Sequence, residues 1–77
     1  MSDIVKRRVV IKTTKKGQTG STGKKAVIIE IDEDGAETEV FSARAGTGRA
    51  LSRLLRGTGK IPPRVVLNKY GVTEFEV

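Results

Sequence analysis

The chain has 77 residues, 36% of them hydrophobic and only three aromatic (Phe41, Tyr70 and Phe75), enough for one small domain with a thin core but not for a deep substrate pocket. It has no cysteine and no histidine, which removes disulfides, thiolate metal sites and the commonest general base, so no enzyme activity, cofactor or resident metal is expected. The net charge is +6 and no apolar run approaches the roughly 20 residues that span a bilayer, so the reading is a basic cytoplasmic module with no membrane and no small-molecule substrate.

Val and Ile total 15 against four Leu, a composition that favours strands, because stiff β-branched side chains suit a pleated surface. Ile4–Thr13 is the first predicted strand, with Val5, Arg7, Val9 and Ile11 sharing one face. Residues 14–25 hold only Gly, Ser, Thr, Gln and Lys, and predict a flexible basic loop or the tip of an extended hairpin. Ala26–Asp32 is the clearest strand, with Val27, Ile29 and Ile31 on one face; Glu33-Asp34-Gly35 supplies a turn, and Glu37–Ala43 returns antiparallel.

Thr47 is the predicted N-cap and Gly57 the left-handed stop of one short helix, whose Leu51, Leu54 and Leu55 form the buried stripe. Pro62 and Pro63 lead into a predicted strand at Arg64–Lys69, Asn68–Gly71 into a turn, and Val72–Val77 closes a final hairpin. The fold class is therefore α+β, a small antiparallel β-sheet in β-β-β-α-β-β order with one amphipathic helix packed on it, in a single domain spanning 1–77.

Charge is segregated along the chain. Residues 1–29 carry +7, residues 30–39 carry −6, and residues 40–73 carry +7, with Glu74 and Glu76 following. A basic field of this kind concentrates polyanions near the protein. At about 100° per residue, Arg49, Arg53 and Arg56 fall within about 60° of one another, opposite the leucines. A plain solvated face normally mixes signs in helix-stabilising pairs, whereas this stripe has no acid and suits bidentate phosphate contact.

Gly46-Thr47-Gly48-Arg49 opens the same helix, where two glycines and free N–H groups admit an anion, although punctuation alone explains them as well. Lys15, Lys16, Lys24 and Lys25 bracket the loop and suit a phosphate backbone; the spacing is not that of a nucleotide-binding P-loop. The acidic cluster from Glu30 to Glu39 lacks the spacing of a calcium loop and reads as a solvated edge.

With Phe41 and Phe75 assigned to the core, only Tyr70 remains for stacking on bases, which favours duplex DNA over single strands or RNA. The expected function is thus an accessory or regulatory nucleic-acid-binding protein whose site residues are Arg49, Arg53, Arg56, Lys15, Lys16, Lys24 and Lys25. The competing reading is a protein-interaction or assembly subunit without nucleic acid. A homodimer is expected in either case, paired through the apolar terminal strand Val72–Val77.

Overall fold

A computed structural model describes residues 3–16, 21–68 and 71–77. It contains four strands and one helix: β1 (Ile4–Lys16), β2 (Ser21–Asp32), β3 (Glu37–Ala45), α1 (Gly48–Arg56) and β4 (Gly71–Glu76). The strands form one antiparallel sheet in the order β3-β2-β1-β4. The fold is therefore a small α+β one, and the meander of the first three strands is as the sequence predicts.

The long central hairpin sets the frame. β1 and β2 pair without interruption from Lys6↔Ile31 to Lys16↔Ser21. Thr14–Lys16 and Ser21–Lys25 therefore belong to the ladder and not to a loop, while residues 17–20 lie outside the described residues. Ladder pairing uses backbone groups only, and the threonines at 13, 14 and 22 have the β-branched shape a strand favours, so no apolar side chain is needed there. At the other end a register shift between Ile4 and Lys6 turns Val5 outward, and Val5 is exposed.

Strand alternation sends Val9 and Ile11 of β1, and Ala26 and Ile28 of β2, to the face that the helix covers. There they meet Leu51, Leu55 and Ile61, with Phe41, Ala43 and Phe75 packed around them. Val27, Ile29 and Ile31, the face that looks most apolar in the sequence, point to the other side of the sheet. Ala26 has the small side chain of the pair, which leaves room for the helix to lie close.

The helix starts as predicted: Thr47 Oγ1 accepts from the Ala50 N–H at 3.1 Å. Its end differs from the prediction. Gly57 is right-handed at φ −65°, and the chain makes one further turn before Gly59 takes the positive φ of +73°. Leu54 is also misplaced by the sequence pattern. The buried direction runs between Leu51 and Leu55, about 40° apart around the helix, so Leu54 lies on its flank and is 47% exposed.

The strand predicted at Arg64–Lys69 is not formed over residues 64–68, and residues 69–70 lie outside the described residues. β4, its predicted hairpin partner, is an edge strand, yet residues 64–68 do not pair with it. Val65 and Leu67 instead pack against the core from an irregular segment, and Val66 faces solvent. Among the described residues no helix is long and apolar enough to cross a membrane.

This packing separates the two neighbouring leucines. Leu55→Ala should cost about 2–5 kcal/mol of stability, the usual range for emptying a buried leucine site. Leu54→Ala should cost less than about 1 kcal/mol, and urea unfolding of the two variants measures the difference.

Candidate nucleic-acid interface

The cations fall into groups set by strand parity and helix angle. Lys24 follows the parity of Ala26 and Ile28, so its side chain lies on the helix side of the sheet. There it runs against the first turn of α1, where a Cβ built on Gly48 would stand 3.1 Å from Lys24 Nζ. Arg49 and Arg53 are exposed on the outer helix face, one turn apart. The helix has no acidic residue in its first turn, and no carboxylate comes within ion-pair distance of Arg49 or Arg53 among the described residues.

Beside this group is a cleft of about 470 Å³ with Ile11, Leu51 and Leu67 as its apolar wall and Lys24, Arg49 and Ser52 on its polar side. Lys24 and Arg49 thus line one cleft, and Arg53 lies one helical turn from Arg49. Arg56 and Lys25 are placed elsewhere.

Arg56 has a structural job. Its Nη2 donates to the Val65 carbonyl at 2.9 Å and its Nη1 to the Pro62 carbonyl at 3.4 Å. Because Arg56 lies on the flank of the helix opposite Leu54, it reaches the irregular segment and supplies donors that a neighbouring strand would otherwise provide. Lys25 has the opposite parity to Lys24 and lies on the helix-free face. Lys15 and Lys16 occupy ladder places opposite Thr22 and Ser21, and their side chains lie outside the described residues. Tyr70 lies outside them too.

Two cations that the sequence reading left out join Lys25. Lys12 pairs with Lys25, and Lys25 with Arg44, directly across β1, β2 and β3. Lys12, Lys25 and Arg44 therefore form a row of like charges roughly 5 Å apart on the open face, an arrangement that opposes pairing unless an anion answers it. The signal was present in the sequence as a mirror register about residues 18 and 19, which places Lys12 opposite Lys25.

Four further cations are matched by carboxylates. Arg7 Nε donates to Glu30 Oε2 at 3.0 Å and its Nη1 to the Lys60 carbonyl at 3.1 Å, while Lys60 Nζ reaches the same Glu30 oxygen at 3.3 Å. On the open face Arg8 bridges Glu74 at 2.7 Å and Glu37 at 2.6 Å, and Lys6 stands 3.7 Å from Glu74. No family model, curated protein or solved structure matches this chain.

Glu30 is the least exposed of these charges, with 14% of its side chain accessible. Burial pushes its carboxyl up, but the hydrogen bonds from Arg7 and Lys60 outweigh this and hold it below its ordinary value. A carboxyl lowered by folding stabilises the native state above the unfolded value, near about pH 4.3, and loses that contribution as pH falls through the native value. Glu30→Gln should therefore lower the melting temperature at neutral pH. The gap to the parent should close as the pH is taken below about 4.3, which thermal melts across the acid range read directly.

Proposed function

We propose that the protein binds nucleic acid through phosphate contacts made by Lys24, Arg49 and Arg53, as an accessory or regulatory factor. One observation carries this reading: cations from two elements, β2 and α1, converge at the start of a helix that has no acid in its first turn. Helices are stabilised by negative charge at that end, so positive side chains gathered there favour an anion that joins them. The net charge of +6 supplies the attraction at longer range.

Duplex DNA is favoured over single strands and RNA. Phe41 and Phe75 are packed against the core, so among the described residues no aromatic ring is offered to unstacked bases. The contacts are with phosphate, and arginine on a helix face spans neighbouring phosphates with its guanidinium fork. The second reading, an assembly subunit without nucleic acid, is favoured by the other side of the sheet, where apolar and charged rows stand uncovered.

Arg53→Glu reverses a charge that faces solvent and touches nothing in the core, so the variant should fold as the parent does. Its affinity for a duplex should fall at least about tenfold, and the slope of log affinity against log salt should shrink by about one or two contacts. Unchanged affinity and slope would make the arginine face an ordinary solvated surface and end the reading.

A further inference from the structure

The helix covers one side of the sheet only, and the other side is ordered by row. At one end lie Glu76, Lys6, Ile31 and Glu37, followed by Glu74, Arg8, Ile29 and Glu39, each row in direct register across the four strands. The middle row is Val72, Val10, Val27 and Ser42. Beyond it stands the cation row of Lys12, Lys25 and Arg44. Along the strands the face therefore reads acidic, apolar, basic: the two acidic rows together carry −2 and the basic row +3.

We propose that this face is the interface of a homodimer, with two copies packed sheet to sheet about a two-fold axis that crosses the strands at the valine row. The order of the rows is self-complementary about that axis. Rotation lays the valines of one copy on those of the other and sets Arg44 against Glu39 of its mate on β3, while Lys25 lies over Ile29 and Lys12 over Arg8, whose charge Glu74 and Glu37 already balance. Val72 is 55% exposed in the single copy, and no ion pair forms at Glu39, Glu76, Lys12, Lys25 or Arg44 among the described residues. The exposed valine and the Arg44–Glu39 pair are answered by the same partner surface, as an isologous interface requires.

A second copy fits this face better than a nucleic acid does. A phosphate backbone would answer the cation row but would also meet the valines and be repelled by four carboxylates. Sheet-on-sheet packing is an ordinary way to bury such a face, and the body of 45 × 23 × 17 Å leaves room for the roughly 800 Å² per partner of a standard interface. Pairing through the edge of β4, the dimer expected from the sequence, loses part of its argument: Glu74 already holds Arg8 and Lys6 within its own chain.

Sedimentation or light scattering of the whole chain at micromolar concentration tests the proposal. The expected mass is about twice 8.3 kDa. Arg44→Glu and Glu39→Arg each set like charges against each other in their own dimers, and should each weaken association at least about tenfold. Mixing the two variants should restore the dimer, because both contacts are then of opposite sign; this recovery also shows that each variant folds. Since the chain has no cysteine, Val27→Cys places one thiol beside the axis and should give a disulfide-linked dimer on mild oxidation. β2 is not an edge strand, so an edge-paired dimer leaves that thiol unlinked. A parent mass near 8.3 kDa, a dimer indifferent to both charge reversals, or variants that do not recover on mixing would each overturn the proposal.

Discussion

The register between β1 and β2 is the constraint from which the rest of the molecule follows. From Lys6 to Lys16 every residue of β1 keeps one fixed partner in β2. A slip of a single place would turn Val9 and Ile11 to the open face and carry Arg8 and Lys12 toward Leu51 and Leu55. Burying those cations without partners costs several kcal/mol each, far more than local adjustments of the ladder return. The same register places Lys24 beside the helix start, aligns Lys12 with Lys25, and leaves Arg7 next to Glu30. Core, candidate interface and charge rows are thus consequences of one alignment.

With the sheet fixed, the helix and the segment after it close the core from one side. Ile61 is buried, Val65 and Leu67 pack at its margin, and Arg56 ties the carbonyls of Pro62 and Val65 to the helix. At the far end the Arg7 guanidinium holds the Lys60 carbonyl, and Lys60 returns a bond to Glu30. Polar groups at the rim of the core therefore take over the work of a fifth strand. Residues 65–67 alternate in and out as a strand would, yet alternation reports only an extended chain. Pairing also needs ladder bonds, and among the described residues the segment makes none to the open edge of β4.

Much of this was legible from residue type. The Asp34-Gly35 turn, with Gly35 at φ +85°, the Thr47 cap and the antiparallel meander all rest on local chemistry, and local chemistry decides them. The parts that were not legible depend on distance. Whether Ala26 and Ile28 or Val27, Ile29 and Ile31 face the helix is a matter of which side the helix falls on, and the more apolar set lost. Leu54 was assigned to the buried stripe by spacing, but a helix this short, resting on a sheet, buries only the arc around Leu51 and Leu55. The candidate site shows the same division: Arg49 and Arg53 were visible as a stripe, while the meeting of Lys24 with Gly48 needed the ladder to bring β2 to the helix start.

Parity also keeps the two proposed surfaces from competing. Lys24 and Lys25 are neighbours in sequence, yet a strand sends them to opposite sides of the sheet. One cation group, with Arg49 and Arg53, stays on the outside of the sandwich that two open faces would form. The other would lie inside it, with Arg44 set against Glu39 of the mate. Pairing the sheets in the proposed way would leave the Lys24, Arg49 and Arg53 group where a polyanion can reach it. Because the helices would then lie on the two outer faces, a dimer of the proposed kind would present two separated cation groups pointing in opposite directions. Such a particle is suited to contacting two duplexes at once, rather than two half-sites along one face of a single duplex.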